Sequence, residues 1–154
     1  MELRTGRHCV FMLHAHLIFI TKYRGKVFNE ESLSRLEAVF RDVGQQFEVE
    51  LSEFNGERDH VHLLINYPPK VQLSKLINSL KGVSSRRLKQ EFSEIRNHWV
   101  CRKSGSLWSP SYFAGSVGGA PLSVLKQYIE QQNRPKPLPK GRGFGRKIGK
   151  MRRD

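Results

Sequence analysis

The stretch Asp59-His60-Val61-His62-Leu63-Leu64-Ile65 constrains this chain more than any other. Side chains on a strand alternate between its two faces, so His60 and His62 stand together on one face. Val61, Leu63 and Ile65 fill the other. The apolar face has to lie on a core, and the opposite face has to offer its imidazoles to solvent or to a ligand. Two imidazoles side by side on a rigid strand are half of a metal site; taken alone, they are more often a polar strand surface. Whatever completes them comes from a chain of 154 residues, a length that suits one domain with one core.

The segments around this strand give an order. Cys9–Thr21 reads as a strand, with Cys9, Phe11, Leu13, Ala15, Leu17 and Phe19 on one face and His14 and His16 on the other. Lys22-Tyr23-Arg24-Gly25-Lys26 follows as a basic loop with one aromatic. Asn29 is set to cap a helix whose first turn holds Glu30 and Glu31, where the dipole favours acids. Leu33, Leu36, Phe40, Val43 and Phe47 mark its buried stripe. Residues 48–54 alternate weakly, with Val49 and Leu51 inward, and Asn55-Gly56 predicts a tight turn into the histidine strand. After Pro68-Pro69, Leu73, Leu76, Ile77, Leu80, Val83 and Leu88 predict a second amphipathic helix, with Lys75, Lys81, Arg86, Arg87 and Lys89 on its open face. Trp99–Cys101 and Leu107–Gly115 read as extended chain around a turn at Lys103-Ser104-Gly105.

The order strand, helix, strand, strand, helix, strand predicts an α+β ferredoxin-like sandwich, an antiparallel β-α-β-β-α-β sheet with helices on one face. A glycine-rich connector (Gly115, Gly118, Gly119) leads to a third helix from Pro121 to about Asn133, which carries Tyr128. The Pro-rich segment 134–139 ends it. The expected division is a domain over residues 1–133 and a basic tail over 134–154, too poor in apolar residues to fold alone.

Charge narrows the partner. The chain has 27 Lys and Arg against 14 acids, a net charge of +13, which points first to nucleic acid and second to an anionic membrane. From Arg134 onward there are nine basic residues and one acid, so +8 belongs to the tail and +5 to the body. The longest apolar run, Val10–Ile20, is broken by His14 and His16 and is too short to span a bilayer. With no signal series and no cysteine framework, the expectation is cytoplasmic, without membrane partners. Gly141, Gly143 and Gly145 fit no nucleotide-binding fingerprint.

Tyr128 and Gln132 are four apart and share a helix face. Ordinarily such a tyrosine is a core-edge residue and such a glutamine is solvated. The chemical reading makes Tyr128 a nucleophile and Gln132 an oxygen ligand to a metal held by the histidines. Two nitrogen ligands with phosphate oxygens suit a divalent cation, Mg²⁺ or Mn²⁺, the latter accepting imidazole more readily. Cys9, His14, His16 and Cys101 lack zinc-site spacing. Asp59 points to the face opposite His60 and reads as a turn residue. Tyr23, Trp99, Trp108, Tyr112 and Phe113 lie near cations, as base-stacking platforms do, and core packing accounts for at least half of them.

These residues resemble a known family, the single-tyrosine HUH transposases of small bacterial insertion sequences. The resemblance rests on Leu17-Ile18-Phe19-Ile20-Thr21-Lys22-Tyr23-Arg24, Asp59-His60-Val61-His62-Leu63-Leu64, Leu73–Gly82, Leu107–Phe113, Gly118-Gly119-Ala120-Pro121 and Gln127-Tyr128-Ile129-Glu130-Gln131-Gln132. It implies a ferredoxin-like core in a homodimer that acts on single-stranded DNA bearing hairpins. It also implies composite active sites, in which the tyrosine helix of one subunit completes the histidine site of the other. His60 and His62 then match the metal ligands, Tyr128 the nucleophile that forms a 5′-phosphotyrosine, and Gln132 the third ligand, with Gln131 a rival. Lys22, Tyr23 and Arg24 of the basic loop, with Lys75, Lys81, Arg86 and Arg87 of the second helix, are the expected DNA contacts. The alternatives are a non-catalytic single-stranded DNA or RNA module, and a replication or mobilisation nickase with the same histidine pair.

Overall fold

A computed structural model describes residues 12–116 and 128–130 and the backbone of Arg152–Arg153. The expectations for Cys9, Phe11, Gly118, Gly119, Gln131, Gln132 and nearly all of the tail lie outside the described residues. The elements are β1 (Leu13–Ile20), α1 (Glu30–Gln46), β2 (Glu50–Gly56), β3 (His60–Tyr67), α2 (Leu73–Glu91), two short helices α3 (Ser93–Arg96) and α4 (Trp99–Ser104), β4 (Ser111–Ser116) and β5 (Arg152–Arg153). The sheet runs β2-β3-β1-β4-β5 with antiparallel neighbours. Its first four strands have the order of a ferredoxin-like sandwich, as the sequence predicts.

Local chemistry starts and stops the elements. The Asn29 side chain accepts from the Ser32 backbone N–H, and the Ser32 hydroxyl accepts from the Asn29 N–H, a reciprocal cap that satisfies two donors at the start of α1. Leu36, Val39, Phe40 and Val43 of α1 join Leu76, Ile77, Leu80 and Leu88 of α2 against Ala15, Leu17, Phe19, Val61, Leu63 and Ile65 of the sheet. Both long helices therefore cover one face. His14, His16, Ile18 and Ile20 of β1 and His60 and His62 of β3 belong to the other.

Two local expectations differ from the structure. Asn55-Gly56 is part of β2, Gly56 pairing with Val61, and the reversal falls on 57–59, closed by a bond from the Glu57 N–H to the His60 carbonyl at 2.8 Å. Gly56 serves close approach instead: a Cβ there would lie 2.6 Å from Leu33 Cδ2 of α1. Trp99–Cys101 is helical rather than extended. His98 Nδ1 accepts from the Val100 N–H at 3.2 Å and caps α4, and Gly105 ends it in the left-handed region at φ 77°.

Candidate nucleic-acid-processing site

β3 projects His60 and His62 from the sheet face that the helices leave uncovered, while Val61, Leu63 and Ile65 are fully buried beneath. Across the ladder, His60 faces Ile20 and His62 faces Ile18. His60 Nδ1 donates to Asp59 Oδ1 at 2.9 Å, which fixes the ring and leaves the lone pair on Nε2. The other Asp59 oxygen accepts from Arg24 Nε at 2.7 Å. Burial works against the Asp59 charge, but the hydrogen bonds from His60 and Arg24 outweigh it and hold the carboxyl below its ordinary range.

Asp59 is therefore no mere turn residue. It is 8% exposed and links Arg24 to the first histidine. The alternation rule, applied to a residue that lies just before β3, misplaces it.

His62 is constrained differently. Burial, then the neighbouring His16, lower its pKa, so it stays a neutral imidazole able to donate a lone pair to a metal. Its Nε2 lies 2.9 Å from His16 Nδ1, with the rings 5.0 Å apart. A metal that takes Nε2 has to displace His16 from it. His14 Nδ1 engages Asn66 Oδ1, and Asn66 Nδ2 donates to Glu50 Oε1 at 3.2 Å, which extends the polar line along this face.

Among the described residues, no group of three or more His, Cys, Asp or Glu is placed to hold a metal ion. The donor chemistry of His60 and His62, one oriented by a carboxylate and the other held neutral, fits a divalent cation that takes its remaining ligands from elsewhere.

Tyr128 lies on the same sheet face. Its ring is buried among Ile18, Ile20 and Phe113, 5.7 Å from the Phe113 ring, with Ile129 alongside. Ile18 and Ile20 are the cross-strand partners of His62 and His60, so the tyrosine covers the strand next to the histidines. Burial pushes the Tyr128 pKa up to about 12, against a smaller opposing pull from Ser111. That pull falls short of a formed hydrogen bond, because the buried hydroxyl meets no partner at acceptable geometry among the described residues. Arg24 ties the helix to the site: its Nη1 donates to the Ile129 carbonyl at 3.4 Å, while its Nε holds Asp59.

Across 124 of the 154 positions, residues 9–132, the sequence matches the model of the family described as Transposase IS200 like. The chain belongs to the IS200-like transposases. Two curated relatives are named as transposases. It is 32% identical over 134 residues to the ISDra2 transposase TnpA of Deinococcus radiodurans, covering 86% of this chain and 93% of that one. It is 28% identical over 117 residues to the transposase for insertion sequence element IS200 of Salmonella typhimurium, covering 76% and 74%. A crystal structure of a candidate transposase from Deinococcus radiodurans matches with a TM-score of 0.75 and 35% identity, over 84% of this chain and 98% of that one.

In this transposase the expected DNA contacts fall in different places. Lys22, Tyr23 and Arg24 flank the histidine face. Lys75 and Arg86 are exposed on α2, on the far side of the sheet, where Arg86, Lys89 and Arg96 help to line a shallow cleft of about 630 Å³. Arg87 is half-buried and meets Asp42 at 3.5 Å. Lys81 departs from the open-face reading. It is buried, donates to the Ser109 carbonyl at 2.8 Å and lies 5.4 Å from the Tyr112 ring centre, so it braces the approach to β4. Cys101 is buried and unbridged, and burial raises its thiol pKa. Trp108, Tyr112 and Phe113 are core residues, which leaves Tyr23 and Trp99 as exposed aromatics. No described helix is long and apolar enough to cross a membrane.

Proposed function

We propose that this IS200-like transposase cuts and rejoins single-stranded DNA at hairpin-bearing insertion-sequence ends, with Tyr128 as the nucleophile. The observation that carries the reading is the shared face: Tyr128 packs on the two isoleucines that pair with His60 and His62. Its buried hydroxyl, without a hydrogen-bond partner among the described residues, sits in that apolar cluster.

The chemistry is a transesterification. The Tyr128 oxygen forms a bond to phosphorus and loses its proton, the bond to the 3′ oxygen breaks, and a 5′-phosphotyrosine and a free 3′-hydroxyl result. A 3′-hydroxyl on another strand reverses the step and restores the tyrosine. One phosphodiester replaces another, so the exchange needs no nucleotide hydrolysis. His60 and His62, with Gln132 or its neighbour Gln131, would hold Mg²⁺ or Mn²⁺. When bound, such a cation supplies charge stabilisation at the phosphate.

Asp59 keeps His60 in the ligating tautomer, and Arg24 couples that carboxylate to the helix backbone beside Tyr128. A tyrosine with a pKa near 12 inside an apolar cluster is a weak nucleophile at neutral pH. We infer that Tyr128 leaves this packing to react, and a composite dimer would give it a place to go.

The test is incubation with hairpin-bearing single-stranded DNA and divalent metal, read as a covalent adduct on a denaturing gel. Mixing His60→Ala with Tyr128→Phe subunits should restore cleavage if sites are composite. A pure binding module on the same sandwich would bind such DNA and never form the adduct.

A further inference from the structure

We propose that Tyr23 and Trp99 form a stacking subsite for one unpaired nucleobase of the DNA strand entering the histidine face. The inference rests on the reading above that this face processes single-stranded DNA. Tyr23 is 52% exposed and Trp99 is 53% exposed, more than any other large apolar side chain described. They do not sit apart: their rings stack with centroids 5.8 Å apart and planes 17° from parallel. Two large rings left in water next to a catalytic face, with their outer edges open, mark a binding site more readily than a solubility feature.

The pair is built, not incidental. Tyr23 and Arg24 both adopt left-handed backbone angles, φ 58° and 55°, which non-glycine residues seldom take in succession. This kink turns adjacent side chains to opposite duties. Tyr23 goes outward onto Trp99, and Arg24 reaches Asp59 and the Ile129 carbonyl. Gly25 lets α4 close on the loop, because a Cβ there would lie 2.2 Å from Val100 Cγ2 and 3.3 Å from Trp99 Cζ2. His98 Nε2 meets the Lys26 carbonyl at 3.1 Å, and the buried Thr21 hydroxyl donates to the Gly25 carbonyl at 2.7 Å. The loop and α4 are thus fastened on both sides of the rings.

Charge selects the ligand. Lys22 Nζ and Lys103 Nζ lie 5.6 Å and 5.7 Å from the centre of the Tyr23 ring. A flat π surface rimmed by cations suits a base whose own phosphates reach the rim. In a duplex the base faces are covered by their neighbours, so the platform favours unpaired strand. Because Tyr23 adjoins Arg24, the base it takes belongs to a nucleotide close to the phosphate presented to His60 and His62.

The test uses the full chain without divalent metal, so that binding is read in the absence of cleavage. Trp108 is buried and donates to Ser84 at 3.0 Å, so ligand-dependent quenching of tryptophan fluorescence reports Trp99. An oligothymidine strand should quench it, and an abasic strand of equal length should not. Tyr23→Leu and Trp99→Leu should each weaken single-strand binding roughly 5- to 150-fold. The slope of log affinity against log salt should stay unchanged, because no cation is lost. Tyr23→Phe should bind as the parent does.

Equal quenching by the abasic strand, full affinity in both leucine variants, or duplex binding as tightly as single strand would each overturn the subsite. The covalent adduct is scored in parallel. An adduct without quenching removes the platform and leaves Tyr128 standing, whereas quenching without an adduct does the reverse.

Discussion

A tyrosine hydroxyl with a pKa near 12 keeps its proton throughout the physiological range, and Tyr128 in its apolar cluster is such a group. Its folded pKa is raised above the ordinary 10.0, so the stability linked to it is complete below pH 10. That stability is lost as pH rises towards 12, where the unfolded tyrosine ionises and the buried one resists. Tyr128→Phe should remove this late titration in an alkaline absorbance titration. It should also raise stability in urea by about 1 kcal/mol, because the buried hydroxyl meets no hydrogen-bond partner among the described residues. The same variant should form no covalent adduct, so stability and activity move in opposite directions.

Asp59 carries the second residue-level prediction. Asp59→Asn leaves the size unchanged but removes the charge that orients His60 and receives Arg24. Mn²⁺ affinity followed by electron paramagnetic resonance should fall about 10- to 100-fold. An unchanged affinity would mean that His60 needs no orienting partner.

Elements were legible where periodicity and capping agree. The Asn29 cap, the α1 and α2 stripes and the alternation through His60–Tyr67 all lie in the sequence as local patterns. Asn55-Gly56 misled because a glycine's freedom and its lack of a side chain look alike in sequence. Here the missing Cβ matters, to admit Leu33, and the turn residues are three less distinctive ones. Trp99-Val100-Cys101 has the composition of a strand, yet the His98 cap and the Gly105 stop make it a helix. Long-range contact decides the first case, as it does for Lys81, whose helical position suggested solvent but whose ammonium is drawn to the Ser109 carbonyl. The His16–His62 contact joins β1 and β3 at a separation of 46 residues and leaves no local signature; the repeated spacing of His14 and His16 is its one visible trace. Gly56→Ala should push α1 from the sheet and lower stability by about 1–3 kcal/mol, measured by thermal or urea unfolding. A neutral substitution would show that Leu33 yields.

At the scale of the whole molecule, residues 134–154 carry +8 of the +13 charge. Each phosphate neutralised contributes to the salt dependence of binding. Removing residues 134–154 takes away nine of the 27 basic groups and should flatten the slope of log affinity against log salt while leaving the cleavage position unchanged. A shifted cleavage position would mean that the tail reads sequence.

The proposed function turns on one covalent event, so the most direct measurement is peptide mapping, by mass spectrometry, of the adduct formed with hairpin-bearing single-stranded DNA and Mn²⁺. The expected result is a single modified residue, Tyr128, joined to a 5′-phosphate. Modification of Tyr23, Tyr67 or Tyr112 instead, or cleavage that leaves no covalent protein–DNA species at any time, would contradict it.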